Sequence, residues 1–120
     1  MITSERSPND MIHIKIWLDD VRDAPDDSWT IARTYDECVN ILMFTLDCVS
    51  DISLDHDLGE EKTGYDIAKL IEELVQDYNY FPPRIFVHSD NPVGRANMWA
   101  AIQSINRIMT ARWEDWIRPR

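Results

Sequence analysis

The chain has few cysteines, few basic residues and no long hydrophobic run, and each shortage excludes a class of protein. Its 120 residues include only Cys38 and Cys48, with no CxxC pair and no ligand-like spacing to a histidine. This usage indicates a reduced setting, and neither thiol is expected to be catalytic. No stretch approaches the roughly 18 apolar residues of a membrane span, and residues 1–10 lack the apolar core of a secretion signal. We therefore expect a cytoplasmic protein that does not enter a membrane.

Positive charge is also scarce. The chain has 22 acidic residues against 12 Lys and Arg, which gives a formal net charge of -10. A field of that sign repels phosphate backbones, so non-specific binding of DNA or RNA is not expected. A small phosphorylated ligand held by a local cation is still compatible with this charge. Most of the acids are expected to serve solubility, and only those clustered at strand ends invite a chemical interpretation.

Apolar residues make up 44% of the chain and are spread along its whole length, which is typical of one globular domain. We expect a flexible leader over residues 1–11, a single α/β domain over residues 12–110 and a tail over residues 111–120. The tail carries two tryptophans, Trp113 and Trp116, and is too aromatic for a disordered end. It is expected to fold back as a short helix or to dock on the domain as an arm.

Short apolar runs that end in polar residues predict the strands of a buried sheet. They cover residues 13–18, ending in Asp19-Asp20; residues 52–54, ending in Asp55-His56-Asp57; and residues 84–87, ending in His88-Ser89-Asp90. A fourth, shorter strand is predicted over residues 29–33. In an open α/β sheet, ligands bind beyond the carboxyl ends of the strands, so we expect these polar ends to converge.

Capping residues and apolar residues at a spacing of three or four predict three helices. Thr34 and Glu37 match a capping box, so a helix should start at Tyr35. A second start signal at residues 63–66 precedes the strongest helical repeat of the chain, and Asn91-Pro92 predicts the start of the last helix. The acidic segment 19–28 has turn residues and no apolar periodicity, so it should be a loop.

The alternation of strands and helices predicts an α/β fold, a three-layer sandwich with helices on both faces of a mostly parallel sheet. The strand order most compatible with right-handed crossovers is 2-1-3-4, which places the first and third strands side by side. Asp19, Asp20, Asp55 and Asp57 would then face one crevice.

Carboxylates that lie this close repel one another unless some are protonated or a cation sits among them. Oxygen ligands from two strand ends suit a hard octahedral ion, so Asp19, Asp20, Asp55 and Asp57 predict a site for Mg²⁺ or Mn²⁺. His56 and His88 are candidates for proton transfer, or for recruiting a softer metal.

The start of the last helix predicts a phosphate site beside that metal. Asn91, Gly94 and Arg95 would supply backbone donors, the positive end of the helix dipole and one cation. Ser89 is placed to hold a phosphate oxygen as well. Arg22, embedded among acids, is a second cation or their counter-ion.

Several of these residues also have a purely structural interpretation. Asp19-Asp20 would also serve to cap the turn after the first strand, and Asp57 is a normal turn residue. His88 at the end of an apolar strand is compatible with a satisfied core histidine. His56 between two acids is harder to explain in that way.

The motifs together resemble a known family. They are Trp17-Leu18-Asp19-Asp20-Val21-Arg22-Asp23-Ala24-Pro25, Ser53-Leu54-Asp55-His56-Asp57-Leu58-Gly59, Gly64-Tyr65-Asp66, and Val87-His88-Ser89 followed by Asn91-Pro92 and Gly94. This set resembles the cyclic-phosphate-processing receiver-like family of bacteria and their phages, over roughly residues 13–108. More remotely, the chain is similar to response-regulator receiver domains.

The resemblance implies a small receiver or flavodoxin-like fold and a role for each matching residue. Asp19 and Asp20 would be the acid pair that binds Mg²⁺, Asp55 the phosphoacceptor position, and Ser89 the hydroxyl residue that ends the fourth strand. The family's proposed activity is hydrolysis of cyclic phosphates. A receiver's fifth strand and its lysine are not visible in this sequence, which disfavours phosphorelay signalling.

Three functions are therefore expected, in decreasing order of support. The first is a metal-dependent phosphoesterase acting on a small cyclic or nucleotide phosphate, with Asp55, His56 and His88 as catalytic residues. The second is a non-catalytic receiver-like adaptor, phage-encoded for example, that binds a host protein through its aromatic tail. The third is a phosphoaccepting signalling domain that uses Asp55.

Overall fold

The computed structural model describes residues 12–119 and has a four-stranded parallel sheet with three α-helices. The elements in chain order are β1 (Ile14–Leu18), β2 (Thr30–Ala32), α1 (Tyr35–Phe44), a short 3₁₀ helix (Leu46–Cys48), β3 (Val49–Leu54), α2 (Gly64–Tyr78), β4 (Arg84–Val87) and α3 (Pro92–Ile117). The strand order is β2-β1-β3-β4. The predicted receiver-like α/β fold and the predicted order 2-1-3-4 are both confirmed.

The register of the sheet aligns the carboxyl ends of its three longer strands. Leu18 of β1 lies beside Leu54 of β3, which lies beside Val87 of β4. The ladder continues one residue further, because the Asp55 N–H donates to the Leu18 carbonyl at 2.9 Å and the His88 N–H to the Leu54 carbonyl at 3.0 Å. The first polar residues after these strands therefore stand side by side at one edge of the sheet.

The three helices begin where the capping residues predict. The Glu37 N–H donates to Thr34 Oγ1 at 3.1 Å at the start of α1, and the Gly94 N–H donates to Asn91 Oδ1 at 3.0 Å at the start of α3. At the start of α2, the Asp66 carboxylate accepts the Thr63 N–H at 2.8 Å. Each side chain satisfies a backbone group that the helix itself leaves without a partner.

All three helices pack on the same face of the sheet, which corrects the expectation of helices on both faces. One hydrophobic cluster joins alternate strand residues, such as Ile16 and Ile52, to Leu42 of α1, Ile71 of α2 and Ile105 of α3. The crossovers through α1 and α2 run in the same direction across the sheet, so right-handedness places both helices on one side. The connection that runs the other way, from β1 to β2, is a loop without a helix.

The last helix continues without a break to Ile117, which corrects the expectation of a separate tail element that folds back. Met109 is the last residue of α3 that packs against the core, while Trp113 and Trp116 are 60% and 71% exposed. A hydrogen bond from the Arg112 guanidinium to the Gln76 carbonyl at 3.3 Å joins this part of the helix to α2. The predicted leader, residues 1–11, lies outside the described residues.

Within residues 12–119, no helix combines the length and the apolar composition that crossing a bilayer requires.

Candidate functional site

Three carboxylates meet at the carboxyl edge of β1 and β3. Asp19, Asp20 and Asp55 each offer one oxygen, and these three oxygens lie within 4.8 Å of one another. Asp19 is almost completely buried, with 1% of its surface exposed, while Asp20 and Asp55 are partly exposed. The sheet register brings Asp55 next to Asp19, as the sequence predicts.

Asp19 is held by hydrogen bonds to both of its carboxylate oxygens. Oδ1 accepts the N–H groups of Val21 and Arg22 at 2.9 and 2.7 Å, and Oδ2 lies 3.1 Å from His88 Nε2. Burial by itself raises the pKa of Asp19, but these hydrogen bonds and the charge of His88 outweigh burial and lower it. Asp19 is therefore an ionised carboxylate in a fixed orientation.

Asp55 has the opposite shift. Burial raises the pKa of Asp55, and the nearby charge of Asp19 raises it further. Hydrogen bonds from the His56 N–H, at 2.9 Å, and from Ser89 offset only part of this effect. Two neighbouring carboxylates whose pKa values move apart in this way are strained by mutual repulsion, which a bound cation would relieve.

His88 lies between the acid cluster and the interior of the sheet. Its Nδ1 is 2.7 Å from Ser53 Oγ, and its ring stacks on Trp17 with ring centroids 3.8 Å apart and an angle of 6° between the planes. Burial lowers the pKa of His88, although the Asp19 and Asp55 carboxylates act in the opposite direction. Both ring nitrogens of His88 are therefore engaged by protein groups.

Asp57 and His56 form a second group beside the cluster. His56 Nδ1 lies 3.0 Å from Asp57 Oδ1, and the Asn91 side-chain amide donates to Asp57 Oδ2 at 3.2 Å. These two hydrogen bonds lower the pKa of Asp57. Asp57, which the sequence places among the metal ligands, thus points to His56 and the start of α3, outside the three-carboxylate group.

Gly94 allows the start of α3 to lie directly on His56. A Cβ atom at this position would be 2.3 Å from Cγ of the His56 ring. The Gly94 N–H is already bound by the Asn91 side chain, and the Arg95 N–H donates to the Asn91 carbonyl at 2.8 Å. The helix start therefore offers fewer free donors for a phosphate than the sequence suggests.

The two arginines predicted as cations occupy different surroundings. The Arg22 guanidinium donates to the His88 carbonyl at 3.3 Å and to Asp90 Oδ2 at 3.0 Å, which places a cation at the rim of the site. Arg95 is exposed on α3, and its side chain makes no hydrogen bond or ion pair within residues 12–119. The structure thus brings Arg22, but not the Arg95 side chain, into contact with the predicted site residues.

Sequence reasoning missed three residues that shape this site. Ser53 and Trp17 hold His88, and the Arg33 guanidinium donates to the carbonyls of Asp19 and Arg22 at 3.1 and 2.9 Å. Strand alternation contained a signal for Ser53, because residues 53 and 55 have the same parity on β3. The contacts of Arg33 depend on the pairing of β2 with β1, which only the topology defines.

The donor set fits a hard divalent cation. Three carboxylates lie close enough to share one ion, and such an ion would offset both the burial and the neighbouring charge of Asp19 that raise the pKa of Asp55. His88 Nε2 is directed at Asp19 rather than at the shared point of the carboxylates, so the set has the character of a site for Mg²⁺ or Mn²⁺ rather than for a softer metal.

A family model described as the cyclic-phosphate processing receiver domain matches residues 14–104, which include every element from β1 to the first half of α3. The matched range contains all the site residues described above. Comparison with curated proteins gave no significant match. Comparison with solved structures gave none either.

Proposed function

Because this chain belongs to the cyclic-phosphate processing receiver domain family, we propose that it is a metal-dependent phosphoesterase acting on a small cyclic or nucleotide phosphate. The observation that carries the proposal is the group formed by Asp19, Asp20 and Asp55 at the sheet edge, with two histidines beside it. The carboxylates supply a site for a cation and the histidines supply side chains that transfer protons, and hydrolysis of a phosphoester needs both.

Asp19, Asp20 and Asp55 would hold Mg²⁺ or Mn²⁺. The ion, when bound, polarises a phosphoryl oxygen and lowers the pKa of a bound water. Asp19 contributes a carboxylate whose orientation is fixed by three hydrogen-bonding partners, the Val21 and Arg22 N–H groups and His88 Nε2. Asp20 and Asp55 are less restrained and complete the ligand set.

His56 is the better placed of the two histidines for acid or base catalysis. Its Nδ1 is oriented by Asp57, and its Nε2 makes no hydrogen bond within the described part of the chain. A base whose second nitrogen is oriented by a carboxylate is the usual arrangement for proton transfer. His88, with both nitrogens engaged, is assigned to holding Asp19.

The substrate phosphate would lie between the metal and the start of α3. Ser89, 5% exposed, accepts the Asn91 N–H at 3.1 Å and acts to lower the pKa of Asp55, so it lies between the acid cluster and the helix start. Arg22, which donates to the His88 carbonyl, supplies a cation at the rim of this position. Gly94 leaves room for His56, and Arg95 would contribute its charge from the first turn of the helix.

The decisive experiment measures hydrolysis of a panel of cyclic nucleotide monophosphates with Mg²⁺, Mn²⁺ or EDTA. We expect turnover that needs the metal and that Asp55→Asn abolishes without loss of the fold. The matched control is Asp77→Asn, an acid exposed on α2 away from the site, which should behave like the wild type. Unchanged turnover in Asp55→Asn would exclude this role for Asp55.

Binding of the metal is tested separately by calorimetric titration of Mg²⁺ and Mn²⁺ into the metal-free protein. Asp19→Asn and Asp55→Asn should each lose the binding, while Asp77→Asn keeps it. A wild-type protein that binds neither ion would remove the basis of the phosphoesterase proposal.

A second candidate function, a non-catalytic adaptor that binds a host protein, is favoured by the end of α3. Trp113 and Trp116 stack with centroids 5.3 Å apart and are largely exposed, and Ile117 is 52% exposed beside them. Exposed aromatic side chains are typical anchors of protein interfaces. Changing both tryptophans to alanine should abolish capture of a partner while leaving thermal unfolding nearly unchanged. Capture that survives this double substitution would show that the interface lies elsewhere.

A further inference from the structure

Ser53 is a buried hydroxyl that the proposed reaction does not use. It lies in the interior of β3 with 4% of its surface exposed, and its Oγ is 2.7 Å from His88 Nδ1. His88 Nε2 is in turn 3.1 Å from Asp19 Oδ2. A continuous line of hydrogen bonds thus runs from the middle of the sheet to the candidate metal ligand.

The Asp19 end of this line fixes the direction of one hydrogen bond. An ionised carboxylate only accepts, so the proton on the Asp19 side must be carried by His88 Nε2. The Ser53 hydroxyl can both donate and accept, so it bonds to His88 Nδ1 whether or not that nitrogen carries a proton. Ser53 therefore anchors the position of the His88 ring, while Asp19 requires the proton on the nitrogen that faces it.

The plane of the His88 ring is fixed as well. Trp17 stacks on it at 3.8 Å, and Trp17 Nε1 donates to the Arg22 carbonyl at 2.9 Å, in the same loop whose N–H groups bind Asp19. The ring can neither flip nor slide without breaking contacts on two sides. Its Nε2–H therefore points at Asp19 in one direction only.

We propose that Ser53 is a positioning residue, whose hydroxyl anchors the His88 ring at Nδ1 so that its Nε2–H stays on Asp19 and orients Asp19 toward the shared point of the three carboxylates. Ser53, His88 and Asp19 resemble the groups of a nucleophilic triad, but the burial of Ser53 within the sheet keeps its hydroxyl away from any substrate. The effect on metal binding rests on the proposed function, whereas the effect on His88 does not.

The experiment compares the wild type with Ser53→Ala and with the matched control Ser50→Ala. Ser50 lies on the same strand, and its hydroxyl lies 3.0 Å from Asp51 and 3.5 Å from the Ile14 carbonyl, away from His88. NMR of the His88 ring in the metal-free protein reports the Nε2–H bond to Asp19, through the chemical shift of that proton and its exchange with solvent. Calorimetry with Mg²⁺ reports the ligand set.

In the wild type and in Ser50→Ala we expect a slowly exchanging Nε2 proton on His88. Ser53→Ala releases the ring at Nδ1, so it should give faster exchange of that proton and a loss of Mg²⁺ affinity of about 10-fold or more. An unchanged His88 spectrum in Ser53→Ala would overturn the proposal, and so would an altered spectrum with unchanged Mg²⁺ affinity. If the wild type binds no Mg²⁺ and Ser53→Ala still speeds the exchange of the His88 Nε2 proton, the phosphoesterase is refuted and the effect of Ser53 on His88 is kept.

Discussion

Asp55 and Asp57 lie two residues apart, yet the fold shifts their pKa values in opposite directions. Burial and the charge of Asp19 raise the pKa of Asp55, whereas hydrogen bonds from His56 and Asn91 lower the pKa of Asp57. A carboxyl with a raised pKa destabilises the folded state when it is ionised, and one with a lowered pKa stabilises it. The difference arises from where each side chain points after the strand ends.

This difference predicts opposite effects of two conservative substitutions in the metal-free protein near neutral pH. Asp55→Asn should increase the free energy of unfolding, because it removes a repelled charge, and Asp57→Asn should decrease it. The gain in Asp55→Asn should shrink as the pH falls through the raised folded pKa and vanish below the ordinary value of about 3.9, because the wild-type carboxyl is then protonated in both states. The stabilisation by Asp57 is present above that ordinary value and is lost as the pH falls through its lowered pKa.

Urea unfolding in EDTA, between about pH 7 and pH 3, measures both effects and their dependence on pH. A metal-free Asp55→Asn protein that is less stable than the wild type near neutral pH would contradict the assigned repulsion.

Gly64 is a residue whose small size the site requires. A Cβ atom there would lie 1.8 Å from the Asp55 carbonyl oxygen, and the Gly64 N–H donates to the His56 carbonyl at 3.0 Å. The obstacle is backbone rather than a flexible side chain, so it cannot move away cheaply. The start of α2 is therefore seated directly on the loop that carries Asp55.

Gly64→Ala should destabilise the protein by about 1–3 kcal/mol, because the added methyl group displaces either α2 or the Asp55 backbone. In an unobstructed helix the same exchange stabilises by about 0.5–1 kcal/mol, so even the sign of the effect is informative. Chemical denaturation gives the value, with Gln76→Ala at an exposed position of α2 as the control. A variant as stable as the wild type would mean that the two backbones do not approach this closely.

At the scale of elements, α3 has two halves with different surroundings. Its first half buries Met98, Ile102 and Ile105 against α2 and the sheet. Its last two turns extend past the core and leave Trp113 and Trp116 exposed. The first half of α3 should therefore contribute most of the stability that the helix gives the fold. The second half is available for contacts with other molecules.

Alanine substitution in each half tests this division. Ile105→Ala should cost about 2–5 kcal/mol, because Ile105 is only 2% exposed and the change leaves a cavity. Trp113→Ala, at 60% exposure, should stay within about 1 kcal/mol of the wild type despite the larger loss of atoms. Thermal or urea unfolding of both variants gives the comparison. If both variants lost the same free energy of unfolding, Trp113 would have to be packed as closely as Ile105.

At the scale of the whole molecule, the net charge of -10 acts against compactness. Like charges at the surface repel one another over distances of about a Debye length, which is about 10 Å at 0.1 M salt. The acid cluster at the sheet edge adds a local maximum of the same field. The fold is therefore expected to be more stable when its charges are screened.

We predict that NaCl raises the free energy of unfolding in the presence of EDTA, which excludes specific binding of divalent ions. Urea titrations at low and at about 0.5 M NaCl measure the effect. A parallel titration with a neutral osmolyte separates screening from general exclusion of solute. Stability that falls with NaCl would show that attractive ion pairs outweigh the repulsion.

Much of the fold follows from local patterns. Alternating and continuous apolar runs locate the strands, capping residues such as Thr34 and Asn91 locate helix starts, and right-handed crossovers give the strand order. The same order places Asp19 and Asp55 at one edge, so their proximity was predictable before any side chain was placed. The strands and helix starts depend on residues that are neighbours in sequence, and the strand order depends on the handedness of the crossovers.

By itself, then, the sequence determined the receiver-like α/β fold, the order of its strands and the meeting of Asp19, Asp20 and Asp55. Only the tertiary structure decided that Asp57 turns to His56 and Asn91, that Ser53 reaches His88, that all helices share one face and that α3 continues to Ile117. The physical reason is that these outcomes depend on side-chain direction and on packing between distant segments, which no local pattern encodes.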